Sequence, residues 1–169
     1  NLDRAKDVDI LASFTLLSGV KLIFSHLQDL LSRGGRVRFL TGDYLGITHP
    51  TALRYLLDLD GDIELRVFHG SSISFHPKSY IFYFNDENVI AYIGSSNLSE
   101  SALSRGIEWN YRLTSYSDPN GIKYSKDTFK DLYENSNSLP IDHKWIENYE
   151  SRRTPMQTEV KPDDPETNP

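Results

Sequence analysis

The sequence predicts one α/β domain in which helices cover both faces of a mixed β-sheet. Three observations lead to this prediction. Strand-like and helix-like segments alternate from residue 8 to residue 68, two further strand-like segments follow as a hairpin, and 169 residues suffice for one core but not comfortably for two. We expect the domain to span residues 1–153, with a disordered tail or linker over 154–169.

The first half of the chain has the pattern of three buried strands joined by two helices. Apolar and β-branched residues predict strands over 8–16, 36–42 and 63–68. Between them, apolar residues at helical spacing predict one helix that ends at the Arg-Gly-Gly of 33–35, and a second over 49–59 with proline in its first turn. Strands connected in this way favour parallel pairing with right-handed crossovers.

The second half of the chain predicts an antiparallel addition to that sheet. Two aromatic-rich segments separated by Asn85, Asp86 and Glu87 are typical of a hairpin. A short helix over 99–103, a strand over 106–115, a helix over 121–136 and a further aromatic-bearing helical stretch are expected to follow.

Composition limits the environment and the partners of the protein. The chain contains no cysteine, so a thiolate metal site is excluded and a cytoplasmic setting is predicted. Its apolar runs are far shorter than the ~20 residues that cross a bilayer, so no membrane partner is expected. The net charge is −6, and residues 157–169 alone carry four acidic residues and one lysine. The chain begins with Asn-Leu-Asp, and we expect it to be a piece of a longer protein.

Polar side chains cluster where the two hairpin segments approach each other. His76 and Lys78 are two residues apart, so their side chains would share one face of a strand. Ser95 and Asn97 have the same spacing at the end of the next segment. Because Gly94 ends the second segment near the start of the first, we expect all four side chains to meet at one edge of the sheet.

This combination of side chains suits the cleavage of a phosphate diester. An imidazole can attack phosphorus, an ammonium group neutralises the non-bridging oxygens, and hydroxyl and amide groups donate hydrogen bonds to them. His76 and Lys78 are therefore predicted to be catalytic, with Lys78, Ser95 and Asn97 binding the substrate phosphate. The arrangement needs no metal and no other cofactor.

Glu108 is the third predicted catalytic residue. An imidazole attacks well when its other ring nitrogen is held by an acceptor, and Glu108 on the next predicted strand could be that acceptor. It could instead form an ion pair with Arg105 or Arg112. Arg105 is also a candidate phosphate ligand, whereas the other basic residues considered are predicted to be solvated: Lys21, Arg33, Arg36, Arg38, Arg54 and Arg66.

The order of these residues resembles the HKD signature of the phospholipase D superfamily. The match consists of His76 and Lys78 as H-x-K, Gly94, Ser95 and Asn97 as G-S-x-N, and an acid at Glu108. The resemblance implies a phospholipase D-like fold and a two-step reaction. One histidine becomes a phospho-histidine while the histidine of a second motif protonates the leaving oxygen and then activates water.

The chain departs from the signature in two ways and holds one copy of it. Tyr83 stands where the family has aspartate, and the gap to the G-S-x-N segment is longer by a few residues. That aspartate is expected to be structural, so the class of reaction would not change. Because the superfamily requires two motifs for each active site, we expect a homodimer whose site lies on the two-fold axis.

From residue 8 to about residue 150 the sequence also resembles the phospholipase D-like nuclease domain of bacterial helicase-containing proteins and some restriction enzymes. This resemblance implies an endonuclease that cleaves DNA without a divalent metal. The chain has no G-x-x-x-x-G-K-[ST] loop, so a helicase domain would follow the proline-rich tail.

Two other functions stay open at this point. The missing aspartate and the acidic net charge would fit a DNA-binding module that does not turn over. A phospholipid phosphodiesterase is a weaker alternative, because the sequence shows no amphipathic or membrane-spanning anchor.

Overall fold

The computed structural model describes residues 1–70 and 74–154. Within these ranges the chain forms seven strands and four α-helices. The strands are β1 Asp7–Ala12, β2 Arg36–Gly42, β3 Asp62–Phe68, β4 Lys78–Tyr83, β5 Val89–Gly94, β6 Asn110–Thr114 and β7 Ser138–Pro140. The helices are α1 Leu17–Ser32, α2 Pro50–Leu57, α3 Pro119–Tyr133 and α4 His143–Arg152. Single helical turns lie at Tyr44–Gly46 and Ser101–Arg105.

The seven strands form one mixed sheet in the order β6-β5-β4-β1-β2-β3-β7. β1, β2 and β3 are parallel, as the alternation of strands and helices predicts. β4 runs antiparallel to β1 and leads through β5 to β6, so the predicted hairpin extends the sheet beside its first strand. The expected α/β fold is confirmed.

Helices cover both faces of the sheet, so β1 is buried on both sides. Val8 and Ile10 belong to the core layer under α1, α2 and α4, which is completed by side chains such as Leu53. Leu11 faces the other way and belongs to a second layer under α3, where Phe129 is fully buried. A central strand that is buried on both faces is typical of parallel α/β sheets.

The helix boundaries follow the residues that predict them. Gly34 has a φ of +78° directly after α1, a left-handed conformation that glycine adopts without steric cost. Pro50 opens α2, and the His49 side chain accepts a hydrogen bond from the backbone N–H of Thr51 at 3.2 Å. Both observations agree with the predicted helix signals.

Three predicted strand boundaries are wrong. β1 ends at Ala12, and the chain beyond it leaves the sheet, so that Thr15 makes an isolated bridge with Leu98. The strand predicted over 106–115 begins only at Asn110, and His76 precedes β4 instead of lying in it. Apolar or aromatic residues such as Phe14 and Trp109 continue the strand pattern beyond the residues that pair in the sheet.

The last part of the fold contains a strand that the sequence did not predict. The short β7 pairs antiparallel with the end of β3, and its Pro140 lies at the outer edge of the sheet. Within residues 1–70 and 74–154, no helix combines the length and apolar character that crossing a bilayer requires. Apart from Thr154, the predicted tail lies outside the described residues.

Candidate active site

His76 lies in the loop before β4, at the edge where the parallel strands end. The hydroxyl of Ser13, just after β1, donates a hydrogen bond to the carbonyl oxygen of Pro77 at 3.0 Å and ties this loop to the sheet. The exposed His76 ring contacts Phe14 and Tyr44 edge-on, with ring centroids 5.3 and 5.9 Å apart. Aromatic contacts on two sides limit the rotation of the imidazole while leaving it open to a substrate.

Lys78 lines the same cavity as His76. Its Nζ donates a hydrogen bond to the backbone carbonyl of His76 at 2.7 Å, and both residues line a cavity of about 240 Å³. Burial lowers the pKa of Lys78 below the ordinary lysine value, while the negative charge of Glu108 partly opposes that shift. The ammonium group is thus partly desolvated and lies within the field of one carboxylate.

Asn97 reaches the same edge from the loop after β5. Its Oδ1 accepts a hydrogen bond from the backbone N–H of Phe14 at 3.1 Å, which fixes the orientation of the amide. Since Phe14 supplies a donor, the carbonyl end of Asn97 must face it, and the NH₂ end is left for other acceptors. The orientation suits a residue predicted to donate to a phosphate oxygen.

Ser95 and Glu108 form a pair on the next part of the edge. The Ser95 hydroxyl donates a short hydrogen bond to a carboxylate oxygen of Glu108 and accepts one from the backbone N–H of Trp109 at 2.9 Å. This contact places the carboxylate beside the end of β5. In this state the Ser95 hydroxyl hydrogen is engaged by Glu108, so it reaches a phosphate only after that bond is exchanged.

Within residues 1–70 and 74–154, no hydrogen bond links the Glu108 carboxylate to the His76 ring of the same protein chain. Among the described residues, the carboxylate is hydrogen-bonded to Ser95, and its charge acts on Lys78 and on the hydroxyl of Tyr80. Burial, together with Glu108, raises the pKa of Tyr80 above the ordinary tyrosine value. An orienting role of Glu108 toward an imidazole therefore stays a prediction.

Arg105, which was a candidate phosphate ligand, and two side chains near the site take structural positions. Arg105 pairs with Glu100 at 2.7 Å, so its guanidinium is held on its own helical turn. Ser96 is buried, and its hydroxyl accepts a hydrogen bond from the Asn110 amide at 2.7 Å. The hydroxyl of Tyr80 donates to the carbonyl of Ser96 at 3.0 Å, so this aromatic ring belongs to the sheet and not to a stacking platform.

The sequence analysis did not identify the residues that pack against His76 and support the site. Phe14 and Tyr44 follow β1 and β2, and they pack against His76. Beneath them the hydroxyls of Thr15 and Thr41 lie 2.9 Å apart in the core, and the Thr48 hydroxyl donates to a backbone carbonyl. Their positions after parallel strands could have identified them, because ligands in open α/β sheets bind beyond the carboxyl ends of the parallel strands.

Tyr83, at the position where the predicted signature would have aspartate, has a clear structural partner. The Tyr83 hydroxyl donates to Asp9 at 2.6 Å, and Arg38 binds the same carboxylate through two nitrogens at 2.7 and 2.6 Å. Burial and the Asp9 carboxylate raise the pKa of Tyr83 above its ordinary value, so it stays a donor. Arg38 was predicted to be a solvated charge, and this is wrong because the sheet places it beside a buried carboxylate.

Arg66 also departs from the predicted solvated state. Its guanidinium lies 4.7 Å from the centre of the Tyr133 ring and donates to the carbonyl of Ser138 at 3.3 Å. The side chain therefore joins α3 and β7 to the sheet.

Comparison with protein families matches the sequence profile described as "Cardiolipin synthase, PLD-like domain" to residues 1–132. The match covers more than half of the 169 residues. The chain belongs to this family of PLD-like domains. Membership supports a phosphodiesterase type of enzyme, in agreement with the side chains gathered at the edge of the sheet. No curated protein matches the chain significantly.

Solved structures share the fold of this PLD-like domain. NucT from Helicobacter pylori superimposes with a TM-score of 0.65 at 19% identity, over 83% of this chain and 86% of NucT. Polyphosphate kinase from Porphyromonas gingivalis gives 0.60 at 14% identity, over 82% of this chain and 19% of the kinase. Phosphatidylserine synthase from Haemophilus influenzae Rd KW20 gives 0.55 at 15% identity, over 86% of this chain and 37% of the synthase.

The charge environment of Lys78 leads to a pH-dependent prediction. If protonated Lys78 binds the phosphate, the affinity of the His76→Ala protein for inorganic phosphate falls as the pH rises through the lysine pKa. Replacing Glu108 with glutamine removes the charge that favours the ammonium form, so the pKa of Lys78 falls further. In the His76→Ala background, we expect Glu108→Gln to move the alkaline loss of phosphate affinity to lower pH. Glu100→Gln, which alters a carboxylate paired with Arg105, serves as the control. A loss of affinity at the same pH, or at a higher pH, would contradict this assignment.

Proposed function

We propose that this PLD-like domain is an endonuclease that hydrolyses phosphodiester bonds of DNA without a metal ion. The observation that carries the proposal is that His76 and Lys78 line one cavity, while Asn97 binds the backbone of Phe14, whose ring contacts His76. With the Ser95–Glu108 pair at the end of β5, these groups can supply a nucleophile, a cation and neutral donors. That combination serves a phosphate diester better than a neutral carbonyl substrate, because a cation can neutralise the charge of the non-bridging oxygens.

The reaction proceeds in two displacements. A ring nitrogen of His76 attacks phosphorus, a bond forms between nitrogen and phosphorus, and the bond to the leaving oxygen breaks. His76 of a second copy donates a proton to that oxygen. The same imidazole then takes a proton from water, whose oxygen attacks the phospho-histidine and restores His76. Lys78 and Asn97 stabilise the negative charge on the non-bridging oxygens in both steps.

A second copy is needed because this chain carries one H-x-K motif. Support for a copy at this edge comes from exposed apolar side chains around the site. Ile93 and Tyr124 line the cavity that holds His76, and 72% of Tyr124 is exposed. Trp109 is 87% exposed although it directly follows Glu108. Large apolar side chains beside a polar site are typical of an interface, and a two-fold axis near them would bring two His76 rings together.

DNA is proposed as the substrate because of the longer resemblance in the sequence. The run from residue 8 to about residue 150 is similar to nuclease domains of helicase-containing and restriction proteins, and the PLD-like domain keeps the residues that carry that resemblance. In the whole protein, a helicase domain after the tail would deliver the DNA. The missing aspartate was one of two observations that favoured a non-catalytic DNA-binding module. Because Tyr83 at that position has a structural role through Asp9, this observation no longer favours the module.

Incubation of the purified domain with supercoiled plasmid in EDTA tests the proposal. We expect nicked and linear products, and we expect no release of head groups from phosphatidylcholine or cardiolipin vesicles under the same conditions. Salt-dependent DNA binding without nicking would favour the binding module, and turnover confined to the vesicles would favour a phospholipid phosphodiesterase. Loss of plasmid cleavage in EDTA, with recovery on adding Mg²⁺, would reject the metal-independent mechanism.

A further inference from the structure

A second polar cavity lies beside the candidate active site and has no part in the reaction described above. It has a volume of about 350 Å³ and is lined by Asp43, Tyr44, His69, Arg152 and Arg153 among others. We call it the His69 cavity. Asp43 follows β2 directly and His69 follows β3 directly, so the cavity opens at the edge of the sheet where His76 lies.

The charges of the His69 cavity are positive on balance, in a chain whose net charge is −6. Its lining contains two guanidinium groups, from Arg152 and Arg153, and one carboxylate, from Asp43. The Asp43 side chain is 9% exposed, and one of its oxygens contacts both His69 Nδ1 at 2.5 Å and Arg152 at 3.2 Å. With Nδ1 on Asp43, the other ring nitrogen of His69 faces away from the carboxylate.

The cationic groups are held in place before any ligand binds. The Arg152 guanidinium lies 5.8 Å from the Trp145 ring and 5.9 Å from the Tyr149 ring. Arg153 donates through Nε to the carbonyl of Gly46 at 2.6 Å. Gly46 has a φ of +64°, and a Cβ there would lie 3.3 Å from the Arg153 side chain. Fixed guanidinium groups lose little entropy on binding an anion.

Tyr44 connects the His69 cavity to the active site. Tyr44 lines the His69 cavity, and its ring lies 5.9 Å from the His76 ring at an interplanar angle of 76°. One aromatic side chain therefore borders both places. A ligand that occupies both places must carry negative charge on each side of Tyr44. A polynucleotide strand has this property, since it presents a phosphate at every nucleotide.

We propose that the His69 cavity binds a second backbone phosphate of the DNA strand whose scissile phosphate lies at His76. This inference rests on the proposed function. Arg152 and Arg153 bind the phosphate oxygens, and Asp43 positions Arg152 and the His69 ring beside them. Tyr44 separates the two phosphates, so the cavity fixes the register of the strand at the active site.

Binding measurements on uncleaved DNA test the cavity independently of catalysis. In a His76→Ala protein, Arg152→Gln/Arg153→Gln is expected to weaken binding of a single-stranded oligonucleotide about tenfold. The slope of log K against log salt should fall in magnitude by about 0.7, the value for one phosphate contact on a single strand. The matched control is Lys130→Gln/Lys144→Gln, which removes two exposed positive charges elsewhere. If the control pair lowers affinity and slope as much as the arginine pair, the cavity is not a phosphate site.

Cleavage measurements separate this inference from the proposed function. With His76 intact, the arginine pair should raise KM for DNA but leave kcat/KM for bis(p-nitrophenyl) phosphate within about twofold, since that compound has one phosphate. An equal loss on both substrates would assign the arginines a structural role and overturn the inference. If the parent protein cleaves neither substrate, the proposed function fails, and the binding experiment still decides the role of the cavity. Thermal unfolding checks that the arginine pair is folded; Arg153→Gln alone replaces it if it is not.

Discussion

His76→Ala is expected to reduce the rate of DNA cleavage by about 10⁴-fold or more while leaving the fold intact. The size of the loss follows from the two tasks of this imidazole in the proposed mechanism, where it is the nucleophile in one copy and the general acid and base in the other. The fold should survive because the ring is exposed and contacts Phe14 and Tyr44 only by its edge. Quantitative nicking of plasmid measures the loss, and circular dichroism checks the fold.

A matched control for this substitution is His143→Ala. His143 is exposed at the start of α4 and lies outside the cavity that holds His76. We expect its replacement to leave the cleavage rate within about twofold. Cleavage by His76→Ala at a rate near that of the parent would remove His76 from the mechanism and leave the phospho-histidine route without a nucleophile.

The second large effect concerns stability, and it is expected for Asp9→Asn. The Asp9 side chain is 3% exposed and binds Arg38 through both oxygens, with Tyr83 as a further donor. Burial disfavours the Arg38 cation, but the hydrogen bonds and charge of Asp9 outweigh it and raise the pKa of Arg38. Without the carboxylate, the half-buried cation loses the counter-ion that binds it in the described structure. The expected loss is about 3–5 kcal/mol in the free energy of unfolding, or roughly 6–20 °C in Tm.

Two neighbouring variants show which contact matters. Tyr83→Phe removes one hydrogen bond but leaves the Asp9–Arg38 pair, so a loss of only about 1–2 kcal/mol is expected. Tyr83→Asp restores the residue of the HKD signature but places a second carboxylate beside Asp9, and we expect it to destabilise more than Tyr83→Phe. Asp127→Asn is the control, because its pair with Lys123 is exposed to solvent and should contribute little to stability. Equal Tm values for Asp9→Asn and Asp127→Asn would contradict the account of this cluster.

The fold could be predicted where local pattern decides the structure. Three apolar runs predict β1, β2 and β3, and the segments between them, with apolar residues at helical spacing, predict the helices that make these strands parallel. The turn residues 85–87 predict the β4–β5 hairpin. The pattern does not show where a strand ends when the residues next to it in the sequence are also apolar or aromatic. This is why Phe14 was assigned to β1 and Trp109 to β6.

The candidate site was predictable only as far as residues close in sequence form a motif. His76 and Lys78 are two positions apart, and the structure brings them together. The contact between Asn97 and Phe14 depends on the pairing of β4 with β1, which no local pattern specifies. The same pairing brings Tyr83 beside Asp9. Such contacts join residues more than 70 positions apart, so they follow from the order of strands in the sheet.

The central claim is that two copies of this PLD-like domain share one site, so that one His76 attacks phosphorus while the other protonates the leaving oxygen. Rapid acid-free denaturation during cleavage of an end-labelled oligonucleotide, followed by gel separation and peptide mapping, measures the covalent product directly. We predict a DNA adduct on His76 that never exceeds one for every two chains, in a particle with the mass of a dimer. An adduct on every chain, an adduct on another residue, or full activity in a monomeric particle would contradict the claim.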